Sequence, residues 1–186
     1  MKRLIIILML AGTAFLLLSS IACIKGATSE ELKASMEVTD VETKWTSKYY
    51  QPWPPRLILV PVLSFRVKNL TSKPLTYINF NVVFRFKEDN ENLGDSFLAA
   101  IRGTPVLPGE KSDVITLKSN FGVDGKNLNS FKSNPRWKIV EARLFTSSRG
   151  SSYIQIGEYQ ISQTIDFKEP EPVHMGEEKK EAKEKK

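Results

Sequence analysis

Hydrophobic and polar residues alternate along much of the chain between residues 36 and 167, and this period of two predicts β-strands. The clearest alternation covers residues 76–87. In that segment the residues that share the apolar face are Ile78, Phe80, Val82, Phe84 and Phe86. A strand with one apolar and one polar face suits an antiparallel sheet that is covered on one side. We therefore expect a two-layer β structure.

The other segments of the same character are separated by turn-forming residues. The first begins at Met36, changes phase near Asp40, which predicts a β-bulge, and continues to Trp45. Further strands are predicted within residues 60–69, 96–102, 113–119, 137–146 and 153–167. Short turns rich in Gly, Pro and Ser lie between them, and residues 121–135 are predicted to be an irregular connection. The fold class is therefore all-β, an antiparallel immunoglobulin-like sandwich of about seven strands over residues 35–167.

The N-terminus has the pattern of an export signal. Lys2 and Arg3 precede an uncharged segment, residues 4–24, which is almost entirely aliphatic up to Leu18. Small residues follow, and Cys23 comes directly after Ala22. A basic start, an apolar run and small residues before a cleavage point are typical of a secretory signal peptide. We predict a signal peptide at residues 1–22 and a tether at residues 23–34.

The four residues Ser20–Cys23 resemble the lipobox of bacterial lipoproteins. The resemblance implies that Cys23 receives the lipid and becomes the mature N-terminus. Two alternatives remain: residues 4–24 are long enough for an uncleaved membrane-spanning helix, or an ordinary signal peptidase releases a soluble protein. The lipoprotein and the helical anchor both place the domain outside the cytoplasm and anchor it to a membrane of the cell envelope. The membrane is therefore a predicted partner.

Two short motifs within residues 63–117 carry a second resemblance. Val67-x-Asn69 precedes a long alternating strand, and the turn Leu107-x-Gly109-Glu110 precedes the next strand. This order is similar to that of the FxLYD-type group of immunoglobulin-like domains in bacterial envelope proteins. The resemblance implies a β-sandwich that serves as an accessory or binding module and has no active site.

Composition excludes several classes of function. The chain has 186 residues, a net charge of +6, one cysteine and one histidine, His174. One cysteine cannot form an internal disulfide, and multi-cysteine and multi-histidine metal sites are excluded, so no cofactor is expected. The basic residues are not clustered, and nucleic-acid binding is not predicted. Residues 168–186 hold six Lys and six Glu and are expected to be a disordered or marginally helical tail.

The most unusual segment is Tyr-Tyr-Gln-Pro-Trp-Pro-Pro at residues 49–55. Aromatic residues among prolines form a rigid segment that loses little entropy on binding. The candidate partner-binding residues are therefore Tyr49, Tyr50, Trp53 and Arg56. The alternative, which residue burial tendencies favour, is that this segment caps an open end of the sandwich.

These features predict a non-catalytic binding or assembly module, an exported lipoprotein that contacts another envelope protein. No Ser–His, Cys–His or metal constellation is apparent, so the protein is not expected to be an enzyme. Two alternatives stay open. An enzyme using two carboxylates needs no histidine, and would require two acidic side chains about 5–9 Å apart in a cleft. A purely structural spacer would bury residues 49–55 and have no binding surface.

Overall fold

A computed structural model describes residues 27–170, which contain one α-helix, nine β-strands and one 3₁₀-helix. The elements in chain order are α1 (Ser29–Ala34), β1 (Met36–Gln51), β2 (Arg56–Asn69), β3 (Ile78–Phe86), β4 (Asn92–Ile101), β5 (Ile115–Lys118), β6 (Val123–Gly125), the 3₁₀-helix (Leu128–Ser133), β7 (Val140–Ser147), β8 (Ile154–Gln160) and β9 (Ile165–Asp166). Cys23, the predicted signal peptide and all but the first three residues of the predicted tail lie outside the described residues.

The strands form two sheets that pack face to face. The first sheet has the order β5-β2-β1-β9, and β6 pairs with β2 beyond the end of β5. The second sheet has the order β4-β3-β7-β8. All pairs are antiparallel except β1 with β9, which is parallel. The prediction of an all-β sandwich is confirmed.

The described strands are more numerous than the predicted seven for two reasons. Residues 123–125, within the predicted irregular connection, form β6 because Leu57, Ile58 and Leu59 of β2 offer them a free edge. The segment predicted as one strand over residues 153–167 divides into β8 and β9, which join different sheets. A chain that changes sheets must break its strand, and a sequence pattern does not reveal that crossing.

The core lies between the two sheets. All five residues of the predicted apolar face of β3 are buried, as the alternation predicted. The rings of Phe65 and Phe80 meet edge to face with centroids 5.2 Å apart and so join the sheets. Such aromatic pairs contribute about 0.5–1.5 kcal/mol beyond the area they bury.

The predicted irregularity of the first strand is also confirmed. The pairing of β1 with β2 shifts between Thr39 and Glu42, and Asp40 adopts a left-handed φ of +53°. The side chain of Asp40 accepts a 2.9 Å hydrogen bond from Lys111 Nζ, which lies before β5. The bulge therefore places a carboxylate where it contacts the neighbouring segment.

The length of β1 separates two ends of the sandwich. Its 16 residues correspond to about 50 Å of extended chain. The end where β1 begins, here called the helix end, holds α1, the turn before β3 and the turn between β7 and β8. The opposite end, here called the hairpin end, holds the β1–β2 turn and the 3₁₀-helix. The chain enters the described fold at the first end and leaves it at the second, because β9 is parallel to β1.

Residues 29–34 of the predicted tether form α1 and pack on the sandwich. Thr28 and Glu31 form a reciprocal capping box that satisfies amide groups at the start of the helix. Leu32 is buried in the core, and the Ser29 hydroxyl donates to the carbonyl of Ser152. Within residues 27–170 no helix is long and apolar enough to cross a membrane.

Candidate functional site

Trp53 is the most exposed large hydrophobic residue described in the fold, with 85% of its surface accessible. It lies in the turn between Gln51 and Arg56, the last paired residues of the β1–β2 hairpin, and its peptide bond to Pro54 is cis. The favoured interpretation, that this segment caps the sandwich, is therefore wrong for Trp53. An indole exposed to this degree contributes little to the core of the protein that carries it.

Tyr50 does cover the core. Its ring lies 5.4 Å from that of Phe167, centroid to centroid, and both side chains pack against the core at the hairpin end. Tyr49 and Tyr50 are adjacent in a strand, so their side chains point to opposite faces of the sheet. The structure thus divides the predicted segment into one docked tyrosine and a pair of exposed aromatic residues, Tyr49 and Trp53.

Arg56 lies next to Tyr49 on the outer face of the hairpin. Its guanidinium carbon is 5.8 Å from the centroid of the Tyr49 ring, within the range of a cation–π contact. The same group forms a 3.4 Å ion pair with Asp124 of β6. The Tyr49 hydroxyl donates in turn to the side-chain carbonyl of Gln51. These contacts hold the tyrosine and the arginine side by side at the base of the Trp53 turn.

Two residues at the same end were not predicted. Phe121 is 66% exposed, and Lys48 Nζ lies 5.9 Å from the centroid of its ring. Lys48 occupies the second irregularity of β1, between Ser47 and Tyr49, and donates to the carbonyl of Asn120. The sequence signal that could have identified Phe121 is an aromatic residue within a connection rich in Gly, Asn and Ser. Together, Lys48, Tyr49, Trp53, Arg56 and Phe121 are here called the hairpin-end surface.

The approach of Phe121 to the sheet depends on the next residue. A side chain on Gly122 would place its Cβ 2.0 Å from the carbonyl oxygen of Leu59 and 2.7 Å from a methyl group of Val60. Glycine is therefore required for the chain to pass this close to β2. The exposed phenylalanine is held at the edge of a rigid sheet.

Three aspartates of the described residues are paired with lysines. Asp40, Asp89 and Asp166 each accept a hydrogen bond from a lysine ammonium group, and each contact holds the pKa of the carboxyl below its usual value. A general acid needs a raised pKa. Among residues 27–170, no grouping of three or more His, Cys, Asp or Glu side chains could hold a metal ion.

A cavity of about 430 Å³ lies between the end of β4 and the segment that leads into β5. Its charged lining residues are Glu110, Lys111 and Asp113, and Lys111 is already paired with Asp40. The other two charged side chains of the cavity, Glu110 and Asp113, are carboxylates, the residue type that the enzyme alternative requires.

No protein-family model matches the chain, and no curated protein sequence matches it. Among solved structures, it is similar to a putative ApaA protein from Bordetella pertussis, with 14% identity, 69% of this chain and 93% of that chain covered, and a TM-score of 0.37. A structural-genomics target shares 11% identity over 77% of this chain and 99% of its own, with a TM-score of 0.43. The ligand-binding region of serine-glutamate repeat protein A from Enterococcus faecium shares 13% identity, with 68% and 99% covered and a TM-score of 0.27.

Proposed function

We propose that this chain is a cell-envelope lipoprotein, attached to the membrane through Cys23, whose β-sandwich is a non-catalytic module that binds another envelope protein. The observation that carries the binding part is the 85% exposure of Trp53 at the tip of a hairpin. Tyr49 and Arg56 complete the predicted partner-binding set, and Tyr50 supports it from the core side.

The attachment part is supported by the sequence. Lys2 and Arg3, the apolar run and the small residues before Cys23 form the expected order of a lipoprotein signal. A cysteine that carries several acyl chains anchors a domain stably, whereas one chain does not. Because the chain enters the described fold at the helix end, an anchor at Cys23 would leave the hairpin end on the side away from the membrane.

The binding part is supported by the chemistry of the hairpin-end surface. Tyr, Trp and Arg are enriched among the residues that dominate protein interfaces. The prolines on both sides of Trp53 restrict the turn before a partner arrives, which reduces the entropy lost on association. The cations of the set, Lys48 and Arg56, favour a partner with acidic residues around an apolar pocket.

Membership of the FxLYD-type group of domains is part of the same proposal. Its support is that the two motifs behind the resemblance lie together: the amide of Asn69 donates to the carbonyl of Glu110, and the amide of Gly109 donates to the carbonyl of Asn69. The lowered pKa values of Asp40, Asp89 and Asp166 make these three carboxyls unsuited to general-acid catalysis, and the exposure of Trp53 disfavours the spacer alternative.

Attachment is tested by replacing Cys23 with alanine in the chain expressed in a bacterial host fed a labelled fatty acid. We expect wild-type protein to carry the label and to sediment with membranes, and Cys23→Ala to lose the label. A labelled variant would exclude Cys23 as the attachment site. If the wild type carries no label but stays with the membranes after an alkaline wash, the result would favour the helical anchor at residues 4–24.

Binding is tested by cross-linking the full chain in its own envelope and comparing the products of three proteins. We expect one specific cross-linked species with the wild type, its loss with Trp53→Ala, and its retention with Phe97→Ala. Phe97 is a suitable control because it is an exposed aromatic residue on β4, 57% accessible, and lies outside the hairpin-end surface. An identical pattern for both variants would argue against the hairpin-end surface.

A further inference from the structure

A second pocket lies at the helix end, on the opposite side of the fold from Trp53. It has a volume of about 230 Å³ and is lined by Tyr77, Asn79, Arg102, Ser148 and Arg149. The volume is below the roughly 300–1,000 Å³ of sites for drug-sized ligands, so it suits a single small group. Two arginines in so small a pocket make that group an anion.

The register of the second sheet brings the two arginines together. Ile78 pairs with Ile101, and continuing this antiparallel register by one residue places Tyr77 opposite Arg102. Asn79 pairs with Ser147, so Tyr77 is opposite Arg149 on its other side. The register thus brings Arg102 and Arg149 to the two sides of Tyr77 although 47 positions separate them along the chain, and both line the pocket.

Neither arginine is neutralised within the described residues. Arg102 and Arg149 form no ion pair with a carboxylate of residues 27–170. The guanidinium carbon of Arg149 lies 4.1 Å from the centroid of the Tyr77 ring. The face of the guanidinium therefore contacts the ring, and the N–H groups at its edge remain available to donate hydrogen bonds to an anion. None of the residues that line the pocket carries a carboxylate.

The backbone at the centre of the pocket is strained. Tyr77 adopts a φ of +57°, a left-handed conformation that is uncommon for a bulky residue. Strain of this kind persists where the surrounding structure holds it, and it concentrates at functional positions. Here it places the tyrosine ring, 44% exposed, beneath Arg149.

Arginine pairs are well suited to oxyanions, phosphate among them. Each guanidinium offers several N–H donors in a plane, and these match the spacing of two phosphate oxygens. The amide of Asn79 and the hydroxyl of Ser148 add neutral hydrogen-bonding groups to the lining. A lysine pair would supply charge but not this geometry.

The pocket is close to the place where the chain reaches its proposed anchor. Ala27 and Ser148 line a neighbouring cavity, and Ser148 also lines the arginine pocket. Ala27 is four positions from Cys23, a span of at most about 14 Å of extended chain. A lipid attached at Cys23 would therefore bring this end of the sandwich to the headgroup layer.

We propose that the Arg102–Arg149 pocket binds a phosphate group, and that this phosphate belongs to a phospholipid headgroup of the membrane that holds the chain. The second part rests on the lipid attachment proposed above, and the first part does not. Binding at this end fixes the sandwich upright, with the hairpin-end surface on the far side from the membrane.

The first test titrates inorganic phosphate into the full chain in uncharged maltoside micelles and follows the side-chain NMR signals of Arg102 and Arg149. We expect saturable shifts that sodium chloride of equal ionic strength does not produce. Arg102→Gln and Arg149→Gln should each weaken phosphate binding about tenfold, because a charge-assisted hydrogen bond corresponds to about one order of magnitude in affinity. The absence of a saturable shift in the wild type would overturn the phosphate site.

The second test places the full chain in vesicles of phosphatidylglycerol and phosphatidylethanolamine and measures amide hydrogen exchange. Compared with maltoside micelles, we expect slower exchange in residues 76–79 and 147–150 of the wild type and no slowing in the double variant Arg102→Gln/Arg149→Gln. The control Lys126→Gln/Lys132→Gln removes the same charge from exposed residues at the hairpin end and should behave as the wild type. Thermal unfolding confirms that both double variants are folded.

The outcomes separate the possible sources of the anion. Phosphate titration without protection by vesicles would assign the pocket to free phosphate and overturn the headgroup. Shifts caused by an oligoglutamate peptide but not by phosphate would assign it to an acidic protein. A chain that lacks lipid at Cys23 but titrates normally with phosphate in micelles would remove the attachment proposal and leave the phosphate site in place.

Discussion

The side-chain amide of Asn69 donates a 2.9 Å hydrogen bond to the main-chain carbonyl of Val106, and so joins the end of β2 to the loop that follows β4. The same amide donates to the carbonyl of Lys73, while its carbonyl oxygen accepts from the amide of Thr71. Asn69 is only 1% exposed. One buried side chain therefore organises two loops at the helix end.

We expect Asn69→Ala to lower the free energy of unfolding by about 2–4 kcal/mol, because it leaves several buried backbone groups without partners. Chemical denaturation measures the change. Asn129→Ala, an exposed residue of the 3₁₀-helix, is the matched control and should stay within about 0.5 kcal/mol of the wild type. A cost below 1 kcal/mol for Asn69→Ala would mean that water replaces the lost contacts.

Phe84→Ala should destabilise the fold by about 3–5 kcal/mol, as truncation of fully buried aromatic residues does. Phe84 is completely buried in the centre of β3. The neighbouring Val83 points to the outer face and is half-buried, so Val83→Thr should cost less than about 1 kcal/mol. Equal losses in denaturant unfolding would show that this strand is covered on both faces.

Tyr50 and Trp53 should respond differently to the same truncation. Trp53→Ala is expected to leave the midpoint of thermal unfolding unchanged, because its indole is exposed. Tyr50→Ala should cost about 1–3 kcal/mol, since its ring packs on Phe167 and the core. Parallel melting curves of the two variants measure the difference. A destabilised Trp53→Ala would restore the interpretation that the whole segment caps the sandwich.

Acid should weaken the fold through its lysine-paired aspartates. The hydrogen bond from Lys138 holds the pKa of Asp89 below its usual 3.8. Because the folded-state pKa is the lower one, this stabilisation is complete above about pH 4 and is lost as the pH falls through the folded-state value.

Thermal unfolding from about pH 6 down to about pH 2 tests this contribution. Asp89→Asn should melt lower than the wild type at the upper end of this range, and the difference should shrink towards the acid end. Asp113→Asn is the control, since Asp113 is exposed and forms no ion pair within residues 27–170. A difference between Asp89→Asn and the wild type that is constant with pH would exclude the ion pair as its cause.

Local alternation predicted the strands well, because β3, β7 and much of β2 each bury one face against the opposite sheet. Exposure at the hairpin could not be predicted in the same way. Burial tendencies favoured a cap, yet β1 and β2 have 16 and 14 residues while β3 and β4 have 9 and 10. The longer hairpin extends beyond the strands that would cover Trp53, and relative strand length depends on the whole fold.

The arginine pocket could not be predicted from the sequence for a related reason. Arg102 follows a strand at one edge of the second sheet, and Arg149 lies in a turn two strands away. Nothing local links them. Only the register of β3 with both neighbours places them around Tyr77, and that register is a property of the assembled sheet.

The parallel pairing of β1 with β9 has a mechanical consequence. The chain enters the described fold where β1 begins and leaves it after Asp166, so tension on its two ends would pull these adjacent strands in opposite directions along their length. In this geometry the bonds between Trp45 or Thr46 and the last strand are loaded together in shear, not opened one after another. A fold held at both of its chain ends would therefore resist tension through its first and last strands.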